Sequence, residues 1–134
     1  MTEKIQFSGS EIFPNNTFVN HKNNISIGGV DLEELADTYG TPLYVYDEDT
    51  ILATIKDFQE SFKYEIENSV ISYSTKAFSN PYLLKLLDDN GMNIDVVTGG
   101  ELAIAKHIEF PPDRINFHGN NKSPQELKDA IDYG

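Results

Sequence analysis

Residues 70–102 read VISYSTKAFSNPYLLKLLDDNGMNIDVVTGGEL, and the alternation within this stretch recurs over residues 103–134. Val70–Tyr73 is a short β-branched and aromatic run with the composition of a strand. Asn80 then stands as an N-cap with Pro81 at the first helical position. Leu83, Leu84, Leu86 and Leu87 supply an apolar stripe, and Gly91 stops the helix. Asn93–Val97 is the second strand, and Gly99-Gly100-Glu101 turns it into a helix that reaches His107 before Pro111-Pro112 ends the segment. Ile115–Phe117 is the third strand. Ser123-Pro124-Gln125-Glu126 is a capping box that opens a helix to about Tyr133. Strand, capped loop and helix, three times over, imply an α/β fold of parallel strands with helices in the crossovers. Two architectures share that rhythm. A doubly wound sheet closes within this length, whereas a (β/α)8 barrel, at ~250 residues, would be only partly present. In either, a ligand sits at the carboxyl ends of the strands, which here are Ser74–Asn80, Thr98–Glu101 and His118–Lys122.

Upstream, Ile25–Val30 is an extended candidate closed by Gly28 and Gly29, and Asp31 caps a helix that runs to Thr38 and ends at Gly40. Leu43-Tyr44-Val45-Tyr46, after Thr41-Pro42, reads as a strand. Asp47 or Asp49 caps the longest helix, whose Ile51, Ile55, Phe58 and Phe62 recur at helical spacing and predict one buried face. Met1–Asn24 scatters Phe7, Phe13 and Phe18 among polar residues, with neither a basic start nor an apolar run, so no signal peptide is expected. No run approaches the ~18 apolar residues of a bilayer span. The expectation is a cytoplasmic protein.

The composition agrees with a folded, soluble domain: 39% of the 134 residues are hydrophobic and 24% charged. The 22 acidic against 10 basic residues give a net charge of −12, spread along the chain, which repels phosphate backbones and anionic lipids and argues against nucleic-acid or membrane partners. With no cysteine, disulfides and thiolate metal sites are excluded, and the histidines have no paired spacing for a metal, so none is expected.

Lys76 lies just past the first strand, where its amine could face the strand-end crevice. By position alone it reads as a solvated lysine; a functional role needs an amine freed of its proton to attack a carbonyl. Asp95 and Glu101 bracket the second strand end. They could balance a cationic ligand, or order the turn and favour a helix dipole. Gly99-Gly100 permits close approach of either a ligand or a packed helix, and matches neither a dinucleotide nor a P-loop pattern. His118-Gly119-Asn120-Asn121-Lys122-Ser123 is rich in donors and also in ordinary turn formers.

Taken in order, these segments resemble the pyridoxal phosphate (PLP)-dependent decarboxylases of the alanine-racemase-like fold type. Tyr73-Ser74-Thr75-Lys76-Ala77 is similar to their Tyr-Ala-x-Lys-Ala motif. Asp95-Val96-Val97-Thr98-Gly99-Gly100-Glu101-Leu102, Phe117–Ser123 and Gly40–Asp47 are especially similar to the diaminopimelate decarboxylase family, and the likeness covers most of residues 25–134. Ser74 departs from the usual alanine, and Phe78 stands where many members have asparagine. The resemblance implies the N-terminal part of a PLP-binding (β/α)8 barrel. Residues 1–30 would form an extension with a short strand, and 31–134 a partial barrel domain lacking the family's C-terminal β domain. It implies Lys76 as the Schiff-base lysine, with Asp95 and Glu101 near the cofactor, and decarboxylation of meso-2,6-diaminopimelate to L-lysine by an enzyme that pairs as a homodimer. The small-molecule substrate would be an amino acid. Family members are much longer than this chain, so the chain by itself is expected to be inactive. The alternatives are a basic amino-acid decarboxylase of the ornithine or arginine type, and a non-catalytic fragment.

Overall fold

The computed structural model describes residues 12–134, which fall into two compact units, one ending at Ser61 and the other running from Phe62 to Gly134. Phe7 and the start of the expected extension lie outside the described residues.

The first unit opens with an antiparallel meander of β1 (Thr17–Val19), β2 (Ile25–Ile27) and β3 (Val30–Asp31). The single extended segment expected over Ile25–Val30 is instead a hairpin. Gly28 (φ 58°) and Gly29 (φ 86°) form its two-residue turn and set Ile27 opposite Val30. Positive φ at both central positions suits the twist of a hairpin and is cheap only without a Cβ. Helix α1 (Leu32–Tyr39) comes directly after it. Its cap is Asp31, whose Oδ1 accepts from the Glu33 N–H at 2.9 Å while Oδ2 accepts from the Asn20 amide at 2.7 Å.

Leu43–Tyr46 belongs to neither sheet. This corrects the expected strand: β propensity describes a side chain that suits a pleated surface, but a strand exists only where a neighbour completes its ladder. Tyr44 is 88% exposed. Helix α2 (Glu48–Glu65) is capped by Asp47, which accepts from the Thr50 N–H at 3.0 Å; Asp49 binds the Asn16 amide at 2.8 Å instead. Of the four apolar positions expected to form a buried face, Ile55 is buried, whereas Phe58 and Phe62 are about half exposed. Spacing places residues on one helix face; only a packed neighbour buries them.

The second unit is the α/β layer. Strands β4 (Ser72–Ser74), β5 (Asn93–Val96) and β6 (Ile115–Phe117) are parallel and adjacent in that order, in the register Tyr73–Ile94–Ile115. Helices α3 (Pro81–Asp89), α4 (Gly99–His107) and α5 (Pro124–Tyr133) fill the crossovers and the end, with α4 packed against both α3 and α5. Asn80 caps α3 as its sequence predicts, accepting from the Leu83 N–H at 2.7 Å. The core joins Leu83, Leu84 and Leu87 of α3, Ile94 and Val96 of β5, and Leu102 and Ala105 of α4 with Phe110. Burying each large side chain contributes about 1.5–3 kcal/mol. At the amino ends of the strands, Arg114 pairs with the Asp88 carboxylate, donates to the Met92 carbonyl at 3.2 Å, and stacks over the Phe110 ring.

Candidate cofactor site

Side chains alternate along a strand, so β5 presents Ile94 and Val96 to the core and Asp95 to the opposite face. There Asp95 Oδ1 accepts from the Ser72 hydroxyl at 2.7 Å and the Asn116 amide at 3.0 Å, with His118 Nε2 at 3.8 Å. The strands thus carry an apolar face toward the helices and a polar one away from them.

Lys76 sits in the turn after β4 and is exposed. Its place is set by its neighbour. Thr75 is 1% exposed, and its N–H donates to the Asp95 carbonyl at 3.0 Å, prolonging the β4–β5 ladder by one step. Its hydroxyl lies 2.9 Å from both that carbonyl and Glu101 Oε1, sharing one proton between two acceptors. Further along the same loop, Ser79 Oγ is buried with no hydrogen-bond partner among the described residues.

Glu101 is fully engaged. Besides Thr75 on Oε1, its Oε2 accepts from the Val97 N–H at 2.9 Å, the Thr98 N–H at 2.7 Å and the Thr98 hydroxyl at 2.9 Å. Thr98-x-x-Glu101 is a capping box for α4. Burial raises the Glu101 pKa, but the accepted bonds from Val97, Thr75 and Thr98 outweigh it and hold the carboxyl below the ordinary glutamate value. The structure therefore brings Asp95 and Glu101 to one strand end in different surroundings: Asp95 on the polar face, Glu101 inside the strand–helix junction. Thr75 bridges the Asp95 backbone to the Glu101 side chain.

The amino terminus of α4 is also filled from within. The Gly99 N–H donates to Glu126 Oε1 at 2.9 Å, and a Cβ on Gly99 would stand 3.0 Å from Glu126 Cγ. The close approach at Gly99 is thus that of a packed carboxylate, while a Cβ on Gly100 would meet only the Thr98 hydroxyl, at 3.7 Å. In the third strand-end loop, Lys122 Nζ bonds the Gly119 carbonyl and lies 4.8 Å from the Phe117 ring centroid. Gly119, at φ 98°, needs the freedom of a residue without Cβ. Among the described residues no cluster of three or more histidine, cysteine or acidic side chains could hold a metal, and no helix is long and apolar enough to cross a membrane.

Thr75, Thr98 and Glu126 are the residues that sequence reasoning did not single out as parts of this site. The Thr98–Glu101 spacing repeats that of Ser123–Glu126, so the first capping box carried the same signal as the second. The contacts of Thr75 and Glu126 with other β/α units leave no mark in local sequence.

A parallel sheet with helices in its crossovers, an apolar face toward those helices and a lysine in a strand-end turn define an α/β protein. The chain belongs to the pyridoxal-dependent decarboxylases: the family model for their pyridoxal binding domain matches residues 48–134. It is 45% identical over 116 residues to diaminopimelate decarboxylase of Halalkalibacterium halodurans, a match covering 87% of this chain and 26% of that protein. Diaminopimelate decarboxylase from M. jannaschii in co-complex with L-lysine superposes with a TM-score of 0.80 at 35% identity, covering 89% of this chain and 28% of the other. Lysine/ornithine decarboxylase from Vibrio vulnificus complexed with cadaverine superposes at 0.64 with 24% identity, over 77% and 27% of the two chains, a likeness of fold alone. The chain spans about a quarter of the length of the curated relatives it matches.

Proposed function

We propose that β4, β5 and β6 are consecutive staves of a PLP-binding (β/α)8 barrel lying within residues 31–134, with residues 1–30 as an extension. We further propose that Lys76 carries PLP for decarboxylation of meso-2,6-diaminopimelate to L-lysine and carbon dioxide by the whole protein. The observation that carries this reading is the exposed Lys76 at the carboxyl end of β4, directly after Thr75, which is anchored to the Asp95 carbonyl and the Glu101 carboxylate. Likeness to diaminopimelate decarboxylases, one of them solved with L-lysine, supports the substrate. The enzyme would work as a homodimer, as the family resemblance implies, and in the cytoplasm.

The donor set suits the cofactor. An amine that gives up its proton can add to an aldehyde carbon and expel water, and Lys76 stands exposed where a ligand at the strand ends would meet it. Asp95, fixed by Ser72 and Asn116 through one oxygen, would supply a negative charge on the polar face to a cationic group of the cofactor. Glu101 holds the turn through Thr75. Its role is to place Lys76. When bound, the cofactor supplies a conjugated electron sink for the pair left on carbon as the bond to carbon dioxide breaks. Lys76 would hold the cofactor through its amine, at the position where a substrate amine would have to compete with it.

The test is to incubate the chain with PLP, reduce with borohydride and map the pyridoxyl group by peptide mass, with Lys76→Ala as control. Saturable labelling centred on Lys76, lost in the variant, is the expected result. Even labelling of all lysines would remove the assignment.

A further inference from the structure

Glu101 and Glu126 hold the same position, the third residue of a capping box, in consecutive β/α units, and each does more than a cap requires. A capping box uses the glutamate to bind the N-cap backbone. In both units Oε2 does this work: for Glu101 it takes the Thr98 N–H and hydroxyl, and for Glu126 the Ser123 N–H at 2.8 Å and hydroxyl at 2.9 Å. In both, Oε1 reaches back to the preceding unit, from Glu101 to the Thr75 hydroxyl and from Glu126 to the Gly99 N–H. The links join end to end. Ser123 is tied to Glu126, Glu126 to Gly99, the adjoining Thr98 to Glu101, and Glu101 to Thr75, the residue before Lys76. The backbone and side-chain bonds of Ser123 and the bond from Gly99 together hold Glu126 below the ordinary carboxylate range, so the acceptor at the head of the chain stays ionised.

We propose that Glu126 is a positioning residue for the Lys76 turn, acting through Glu101 and Thr75 across two β/α units; this rests on reading Lys76 as the cofactor lysine. The capping-box glutamates lace the three strand-end loops together, so a change in the third loop is felt at the first. Local capping and lacing are separable because they use different oxygens. Ser123→Ala removes the side-chain half of the α5 box and leaves the Glu126–Gly99 bond. Glu126→Gln exchanges one acceptor oxygen for a donor group and removes the charge, so the box and the reach to Gly99 cannot both be kept at full strength.

The experiment compares the full chain with these two variants, after melting curves confirm that each is folded. Two readouts are taken: amide hydrogen exchange over residues 75–79, and the share of borohydride-fixed pyridoxyl label on Lys76. Glu126→Gln is expected to speed exchange over 75–79 by roughly fivefold or more, the worth of one ordinary hydrogen bond, and to lower the Lys76 share of label. Ser123→Ala should leave both close to the unsubstituted chain. Equal effects from the two variants, or faster exchange confined to residues 118–124, would overturn the lacing and leave Glu126 a local cap. An unsubstituted chain that shows no preference for Lys76 would sink the cofactor reading instead, and the exchange comparison would then decide the lacing by itself.

Discussion

The two faces of the parallel sheet are built by the same three strands, one residue out of step, and differ in almost every physical respect. On one, Ile94 and Val96 are fully buried with Leu84 and Leu87, and Ile115 and Phe117 line a cavity of about 100 Å³ with Leu102, Ala130 and Tyr133. On the other, Asp95 gathers Ser72 and Asn116 around a carboxylate that is 24% exposed. A face chosen for stability alone would not place a carboxylate near the carboxyl end of its central strand, because taking charge out of water has a cost that apolar packing avoids. The contrast teaches that the helix-side face holds the unit together, while the polar face is the one on which the proposed site is built.

The largest effect that could break this contrast is in the core. Leu84→Ala should destabilise the second unit by about 2–5 kcal/mol in urea unfolding, because Leu84 has no exposed surface and its loss leaves a cavity. A loss no larger than that of a polar-face variant would collapse the distinction. Arg114→Ala, at the amino end of the strands, should cost about 1–3 kcal/mol by removing the donor to the Met92 carbonyl and one of the two cations paired with Asp88, Lys85 being the other, without altering pyridoxyl labelling of Lys76. Changed labelling would show that the two ends of the sheet are not independent.

A smaller effect should accompany a change of pH. Glu101, Glu126 and Asp88 are all held below their ordinary values; for Asp88, burial works in the opposite sense but is outweighed by Lys85 and Arg114. A carboxyl whose folded value is depressed contributes stability above its unfolded value, ~4.3 for glutamate and ~3.9 for aspartate, and loses it as pH falls through the folded value. Urea midpoints should therefore fall on acidification below that range, and less steeply in Glu101→Gln. An identical acid loss in that variant would show that the capping network does not carry the dependence. The smallest stability change belongs to Asp95→Asn, within about 0.5 kcal/mol, because an amide oxygen can still accept from Ser72 and Asn116. The same substitution should weaken PLP retention, measured by dialysis after loading, and unchanged retention would remove Asp95 from the site.

Local sequence determined a great deal here, because caps, stops and apolar stripes act over one helical turn. The Asn80 and Ser123 caps, the leucines of α3 and the span of β6 arise from residues adjacent in the chain, and the parallel direction of the strands from the helix-long connections between them. Motif order also brought Lys76 forward, which position alone could not do. The tertiary structure decided what depends on partners distant in sequence. Leu43–Tyr46 has a strand's composition and no place in a sheet, and Phe58 and Phe62 share a helix face with Ile55 but not its burial. Glu101 is equally fit, by sequence, for a cofactor or for a cap; Thr75, 26 positions earlier, shares its carboxylate only in the folded unit. A hydrogen bond depends on a separation of about 3 Å, and separation along the chain does not determine separation in space until the strands have paired.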